Sequence, residues 1–362
     1  MISDTDIHHM RSALALARRG VGRTAPNPSV GCVIVKNDIV IARARTADLG
    51  RPHAEFLALE SAGKEAEGAT LYVTLEPCTH QGRTPPCADS IIEAKVKKVV
   101  IGTLDQNPQV WGQGVERLTS AGIEVVQGVL DEECKALNAG FFGAITNNRP
   151  YVTLKTACTI DGKVALESGE SQWITSALSR RHAHLLRSKH DAILVGVGTV
   201  LKDAPMLSTR LDGLDHNPVR VVLDSDLQIP ADSILVKSAY ALRLWVFHTQ
   251  TNDNEINLIA NGAILHQVNK HDLGSVLQQL AKEGITRVLV EGGPKVHASF
   301  LRQGLWDEMV VYRAPSMIGH SAVNVSGDLD VDALKDRYDM KRESIQMLGD
   351  DTLERYVPKS EG

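Results

Sequence analysis

The chain has 362 residues, of which 43% are hydrophobic and 23% charged, a balance typical of globular protein with room for two domains. A net charge of −5 without a long basic run argues against a nonspecific nucleic-acid binder. No apolar run reaches the roughly 18 residues of a membrane span, and the N-terminus lacks a secretory pattern, so we expect a cytoplasmic protein with no membrane partner.

The first half of the chain alternates between helical and strand patterns, which predicts a small layered α/β domain. An amphipathic helix is expected at the N-terminus, where Ile7, Met10 and Leu14 recur at helical spacing. The elements predicted after it are strands 30–35 and 39–42, helix 53–62, strand 69–75, helix 88–94, strand 98–102, helix 115–120, strand 123–126 and helix 132–145. The polar, helix-breaking residues 147–150 then predict a boundary between domains 1–147 and 148–362.

The second half also has an α/β pattern, with a sheet-rich C-terminal end. The predicted elements are strand 151–156, helix 177–188, strands 192–195, 219–223, 242–247 and 263–268, helix 273–282, strand 287–290, helix 296–302 and strand 308–312. Neither an internal repeat nor a low-complexity tract interrupts this pattern.

The sharpest local motif is His53-Ala-Glu55, followed by Pro-Cys78 and then by Cys87. One imidazole and two thiolates are three zinc ligands, and the fourth tetrahedral position is left for water. Zinc lowers the pKa of such a water, and Glu55 then moves the proton to a leaving amine. The alternatives are a structural zinc or a pair of buried thiols. Five cysteines disfavour a disulfide framework, and Cys32, Cys134 and Cys158 are expected in the core.

His53-Ala-Glu55 and Pro77-Cys78 resemble the cytidine deaminase superfamily, although eight residues separate Cys78 from Cys87 where that superfamily often has two. The string TLEPCTHQGRTPPC over residues 74–87 is similar to the deaminase half of the RibD family of riboflavin biosynthesis proteins, as are residues 26–31 and 105–108. This resemblance covers residues 5–145 and implies a three-layer, cytidine-deaminase-like domain.

The resemblance also implies a substrate, a diaminopyrimidinone that carries a ribosylamino 5′-phosphate. Water replaces one ring amino group of this substrate, and ammonia leaves. Three residues would then bind the substrate, namely Asn27, Glu76 and His80, although Asn27 between two prolines also fits a simple turn. The sequence departs from the family over residues 43–48, where a histidine is expected before the zinc-binding histidine.

The second half carries glycines after two predicted strands, at residues 196–198 and 292–293, where backbone could approach a phosphate. Neither is the Rossmann G-x-G-x-x-G fingerprint. Residues 155–163, 169–175 and 196–210 resemble the reductase half of the RibD family, which is similar to dihydrofolate reductase in fold. The resemblance extends over residues 150–320 and implies reduction of the ribosyl group to a ribityl chain by hydride from NADPH.

Positions carried over from the family give two sets of reductase residues. Those expected to contact the cofactor are Ala157, Trp173, Thr199, Asp203, Ser225, Gly292 and Gly293. Those expected to contact the substrate are Ser171, Arg187, Leu207, Arg210 and Glu291. For both arginines the alternative is a solvated surface charge. Ala204 stands where the family has a second aspartate.

Two other functions remain open from the sequence. One is a nucleic-acid or nucleoside base deaminase with a non-catalytic C-terminal binding module, which the wide cysteine spacing and the acidic balance disfavour. The other is a catalytically inactive scaffold, which the intact zinc motif disfavours. We expect a homo-oligomer, a dimer or tetramer, that acts on a small pyrimidine ribosyl phosphate and does not bind nucleic acid.

Overall fold

Residues 2–81, 85–107, 110–214, 216–269 and 272–359 are described by the computed structural model. The chain divides into two units, Met1–Arg149 and Pro150–Gly362. Among the described residues, no helix is both long enough and apolar enough to cross a membrane.

The first unit is built on one mixed sheet. Its elements are α1 (Asp4–Ala17), β1 (Gly31–Lys36), β2 (Ile39–Arg45), α2 (Ala54–Ala62), β3 (Thr70–Leu75), α3 (Cys87–Glu93), β4 (Lys98–Thr103), α4 (Gln113–Ser120), β5 (Glu124–Gln127), α5 (Asp131–Leu137) and α6 (Ala139–Thr146). The strand order is β2-β1-β3-β4-β5. Strand β1 is antiparallel to both of its neighbours, whereas β3, β4 and β5 are parallel.

Alternation along the strands explains the layering of this unit. Successive residues of β1 point to opposite faces, so that Cys32 and Ile34 pack with α2, α3 and α4, while Val33 and Val35 pack with α1 and α5. The first helix begins with a capping box between Ser3 and Asp6. Helices therefore cover both faces of the sheet, and the predicted three-layer fold is confirmed.

The predicted helix 132–145 is wrong, because the structure has two helices that meet at Asn138. The backbone of Asn138 leaves the helical region there, with φ −101° and ψ 17°. Its side-chain oxygen accepts the N–H of Ser29 at 2.9 Å, and its amide donates to the carbonyl of Ser29 at 3.2 Å. A tertiary pair of hydrogen bonds thus overrides the local helical pattern.

The second unit is built on a larger sheet. Its elements are β6 (Tyr151–Thr159), β7 (Lys163–Ala165), α7 (Ala177–Arg187), β8 (Ala192–Gly196), α8 (Val197–Asp203), β9 (Val219–Leu223), α9 (Ile234–Lys237), β10 (Leu244–His248), α10 (Asn254–Ala260), β11 (Ile264–Gln267), α11 (Leu273–Lys282), β12 (Arg287–Val290), α12 (Pro294–Arg302), β13 (Glu308–Ala314), β14 (Val323–Asn324), β15 (Met340–Leu348) and β16 (Asp351–Pro358).

The large sheet has the order β11-β10-β9-β8-β12-β6-β13-β16-β15. The first seven strands in this order, from β11 at the edge to β13, are parallel to one another. The hairpin β15–β16 adds two antiparallel strands at the other edge. The prediction missed this hairpin and helices α8 to α10. Strand β15 is exposed over most of its length, so it carries no alternation of buried and exposed residues that could reveal it.

Candidate active sites

The zinc motif of the first unit lies where helices begin. His53 is the N-cap residue of α2, one position before the first helical turn in which we expected it, and Cys87 is the first residue of α3. Cys78 follows the end of β3 by three residues. The Nδ1 atom of His53 is 3.3 Å from the Sγ atom of Cys87 and 3.6 Å from that of Cys78. No other cluster of potential metal ligands was found in the described part of the chain.

These distances fit one zinc ion. Tetrahedral bonds of about 2.0 Å to nitrogen and 2.3 Å to sulfur separate the ligand atoms by about 3.5 Å. The three ligand atoms lie within 4.8 Å of one another. Three protein ligands leave one tetrahedral position for water, which is the composition of a catalytic site.

The electrostatics of the cluster suit this chemistry. The Cys87 thiol and then His53 lower the pKa of Cys78 to about 4, so that Cys78 is a thiolate at neutral pH. Burial raises the pKa of Glu55 to about 7. Glu55 is 3% exposed, and its Oε2 atom has no hydrogen-bond partner among the described residues. An unpartnered carboxylate oxygen beside an open metal position is placed to exchange a proton.

The remaining predicted deaminase residues differ in their surroundings. Asn27 is half-buried and packs against Gly50, where a Cβ atom would lie 2.2 Å from its Nδ2 atom. His80 is exposed, two residues after Cys78. Glu76 is buried, and its carboxylate accepts backbone N–H groups. Residues 82–84 and Pro108 of the family-like strings lie outside the described residues.

The stretch that departs from the family pattern has a structural role at Thr46. The hydroxyl of Thr46 accepts the backbone N–H of Val30 at 3.0 Å, and the side chain is buried. The other departure, Ala204, ends α8 in the left-handed region with φ 40° and ψ 50°. Asparagine and aspartate occupy that region more readily than alanine, so an aspartate at this position would be less strained.

In the second unit most predicted reductase residues meet around one cavity of about 280 Å³. It opens beyond the carboxyl ends of β8 and β12, the edge at which parallel sheets bind ligands. The predicted residues that line it are Ala157, Ser171, Trp173, Thr199, Asp203, Glu291, Gly292 and Gly293. The structure thus brings together side chains that are up to 136 positions apart in the sequence, from Ala157 to Gly293.

Lys155 and Glu291 line this first cavity, and both belong to a buried ion-pair cluster with Arg187. The guanidinium of Arg187 donates to both carboxylate oxygens of Glu291, at 2.8 and 2.9 Å, and the Nζ atom of Lys155 is 3.6 Å from the same carboxylate. Burial alone would raise the pKa of Glu291, but Arg187 and Lys155 hold it well below its usual range. Arg187 also donates to the carbonyl of Ser208 at 2.9 Å. Sequence reasoning assigned no role to Lys155, although this residue begins a family-like string.

Four predicted residues do not line the first cavity, and one of them, Arg187, is held against its lining residue Glu291. Ser225 lines a second cavity of about 190 Å³, together with Lys295 and Ser299 of α12. Arg210 lines a third, of about 590 Å³, and its backbone N–H donates to Nδ1 of His184 at 3.4 Å. Leu207 is 3% exposed and packs in the core against the sheet.

The two adjacent glycines of the first cavity have different reasons to be glycine. A Cβ atom on Gly292 would lie 2.7 Å from the side chain of Val296, so that packing against α12 requires a glycine. A Cβ atom on Gly293 would meet no protein atom within 4 Å. The protein itself therefore leaves the space above Gly293 open at the N-terminus of α12, where backbone N–H groups attract anions.

Comparison with known proteins places both units. Residues 3–103 match the cytidine and deoxycytidylate deaminase zinc-binding region, and residues 150–353 match the RibD C-terminal domain. The riboflavin biosynthesis protein RibD of Aquifex aeolicus is 43% identical to the chain, and the alignment covers 98% of each. The chain belongs to the RibD family.

Further RibD proteins agree with this assignment. The Escherichia coli RibD is 40% identical over 96% of this chain and 97% of its own. A solved structure of Acinetobacter baumannii RibD superimposes with a TM-score of 0.91 at 38% identity, over 98% of this chain and 99% of that one. The predicted α/β fold, with a cytidine-deaminase-like first domain and a dihydrofolate-reductase-like second domain, is confirmed. So is the prediction of a zinc-binding deaminase joined to a reductase.

Proposed function

We propose that the protein catalyses two steps of riboflavin biosynthesis. The first is hydrolytic deamination of 2,5-diamino-6-ribosylamino-4(3H)-pyrimidinone 5′-phosphate, and the second is NADPH-dependent reduction of the ribosyl group to ribityl. The observation that carries the proposal is that one chain holds both a His/Cys/Cys cluster beside buried Glu55 and a cavity lined by eight of the predicted reductase residues. We assign deamination to residues 1–147 and reduction to 148–362, which the division into two units at 149/150 supports.

In the deaminase site His53, Cys78 and Cys87 would hold the zinc ion. Zinc bound there supplies a Lewis acid that lowers the pKa of a coordinated water. Glu55 takes a proton from the attacking water and delivers it to the departing amino group, and its raised pKa suits both directions of transfer. Asn27 and His80 bind the pyrimidine as proposed contacts. The carboxylate of Glu76 instead accepts backbone N–H groups of the protein.

In the reductase site we propose that the cofactor contacts lie along α12. The first cavity contains Gly293 and Pro294 and the second contains Lys295 and Ser299, so the two cavities flank the start of the same helix. The residues that would hold the nicotinamide end line the first cavity, namely Ala157, Trp173, Thr199, Asp203 and Gly292. Ser225 and Lys295 of the second cavity would hold the adenosine end, and Lys295 would supply a positive charge for a 2′-phosphate.

The substrate contacts proposed for reduction are Ser171, Arg187, Leu207, Arg210 and Glu291. Two of them line the first cavity, and Arg187 acts through Glu291, whose two carboxylate oxygens it holds. Arg210 lies in the third cavity with Arg181 and His182, where a second basic side chain favours the sugar phosphate. Leu207 packs in the core beside the sheet.

The proposal is tested by incubating the protein with the diaminopyrimidinone phosphate, with and without NADPH, and analysing products by mass spectrometry. Without NADPH we expect an amino group to be replaced by a hydroxyl, and with NADPH two further hydrogens. Free nucleosides and single-stranded RNA and DNA serve as controls, and their deamination with no change in the pyrimidine phosphate would overturn the proposal.

Two further properties belong to the proposal. We propose a homo-oligomer, a dimer or tetramer, which size measurement in solution tests directly. We also propose a cytoplasmic location, which is supported by the five cysteines, all of them free thiols, since a reducing compartment keeps thiols unpaired.

A further inference from the structure

Glu76 carries a carboxylate that is buried two residues before the zinc-site residue Cys78. Its two oxygens accept backbone N–H groups from Asp105 (3.1 Å), Gly112 (3.1 Å), Gly114 (2.8 Å) and Val115 (3.3 Å). A carboxylate offers about four lone-pair sites. Four N–H groups therefore use the acceptor capacity of Glu76, and no oxygen remains to bind a substrate.

All four donors lie between β4 and the first turn of α4, in the described residues 105–107 and 110–115, which together are called connection 105–115. Gly112 is the N-cap residue of α4, so three of the bonds go to the start of this helix. The first N–H groups of a helix have no partner within it, and a negative charge there is favourable. Glu76, which directly follows β3, thus caps the N-terminus of α4.

The same stretch lies against the chain that leads to Cys78. A Cβ atom on Gly114 would be 2.3 Å from the carbonyl oxygen of Pro77, a separation that only glycine permits. The hydroxyl of Thr79 lies 3.4 Å from the Oε1 atom of Gln113. Residues 113 and 114 of this connection therefore contact residues 77 and 79, one on each side of Cys78.

We infer that Glu76 is a positioning residue of the deaminase, which holds connection 105–115 as a wall of the zinc site. The connection brings Asp105 into electrostatic range of His80 and Cys78. Misplacement of a site wall by about 1 Å can cost a hundredfold in rate without any change in the reacting groups. The inference rests on the proposed deaminase function and replaces direct substrate contact as the role of Glu76.

The test compares Glu76→Gln with a matched control, Glu93→Gln, in the full-length protein. Glu93 is an exposed glutamate at the end of α3. An amide at position 76 keeps the shape but offers one acceptor oxygen and turns an NH₂ group toward N–H donors. We expect Glu76→Gln to keep zinc and the reductase rate, to speed hydrogen exchange over residues 110–120, and to lower the deaminase kcat/KM roughly tenfold to a hundredfold. The control should change none of these.

A second variant disturbs the same part of the chain at Gly114 instead of at Glu76. Gly114→Ala leaves Glu76 intact but introduces a Cβ atom that cannot stay 2.3 Å from the Pro77 carbonyl. The expected result is again faster exchange over residues 110–120, retained zinc and lower deaminase kcat/KM. This variant keeps the inference testable if Glu76→Gln does not fold.

The outcomes separate the roles of Glu76. A fall in kcat/KM without faster exchange would indicate direct substrate contact and overturn the inference. Faster exchange with unchanged kcat/KM would also overturn it, since the contact would then be only structural. Loss of zinc in Glu76→Gln would assign the residue to the metal site. If the wild-type protein does not deaminate the pyrimidine phosphate, the proposed function fails, and this result is distinct because it does not depend on either variant.

Discussion

The two active sites are assembled in different ways. The metal-binding side chains and Glu55 of the deaminase come from residues 53–87 and lie at the ends of secondary-structure elements. The reductase cavity is lined by residues from Lys155 to Val325, which come from several strands, helices and loops. A metal demands particular residue types at particular places, whereas a cofactor cavity is built largely from backbone, glycines and shape. The first site is therefore conspicuous in a sequence and the second is not.

We expect the largest effect from substitution of the metal ligands, which should abolish the deaminase site without affecting the reductase cavity. Cys78→Ser or Cys87→Ser should lose the zinc ion, of which we expect about one per chain, together with all deamination. Metal analysis and the deaminase assay measure this. Cys134→Ser is the matched control, because Cys134 packs in the core and lies outside the ligand cluster. Full zinc content in both ligand variants would refute the assignment.

Glu55→Gln should separate binding of the metal from proton transfer. We expect it to keep zinc and to lose deamination by roughly two to four decades, the usual contribution of a general acid or base. Reduction of the deaminated intermediate should continue at the wild-type rate. A variant that deaminates normally would show that Glu55 is not the proton carrier.

How far the sequence predicts each site follows from the same contrast. His53, Glu55, Cys78 and Cys87 were identifiable because their types and spacing specify zinc chemistry. The bidentate pair of Arg187 with Glu291 joins residues 104 positions apart, and the contacts of Glu76 span 29 to 39 positions. Such contacts, like the break between helices at Asn138, depend on how whole secondary-structure elements pack. They could not be predicted from any local sequence pattern.

Loss of the buried ion pair beside the reductase cavity should lower both the stability of the second unit and the reductase activity. Arg187→Ala leaves the buried Glu291 carboxylate with Lys155 as its remaining ion-pair partner, and we expect this loss to cost up to about 3–5 kcal/mol in the second unit. Thermal unfolding and the reductase rate measure the effect, with deamination expected to persist. The folded-state pKa of Glu291 lies below its unfolded value, so its stabilisation is present above the unfolded pKa and is lost as the pH falls toward the folded one. The same unfolding temperature for the wild-type protein and Arg187→Ala at neutral pH would contradict this account.

Arg210→Ala should have a smaller and more selective effect. Removing one charge-assisted contact is expected to raise the KM for the sugar phosphate roughly tenfold to a hundredfold, with little change in NADPH affinity. Steady-state kinetics on the deaminated intermediate measure both. Arg181→Ala is an informative comparison, because Arg181 lines the same cavity. An unchanged KM in Arg210→Ala would remove the third cavity from the reductase site.

The central claim is that each unit of the chain performs one step of a two-step conversion. The most direct test is product analysis by mass spectrometry for Glu55→Gln, Gly293→Val and an equimolar mixture of the two, each with the pyrimidine phosphate and NADPH. The Cβ atom of a valine at position 293 would meet no protein atom within 4 Å, and its side chain would occupy the space that we propose for phosphate. We expect Glu55→Gln to leave the substrate unchanged, Gly293→Val to stop at the deaminated intermediate, and the mixture to form the ribityl product. Reduction of the substrate by Glu55→Gln, or ribityl product from Gly293→Val alone at the wild-type rate, would contradict the account.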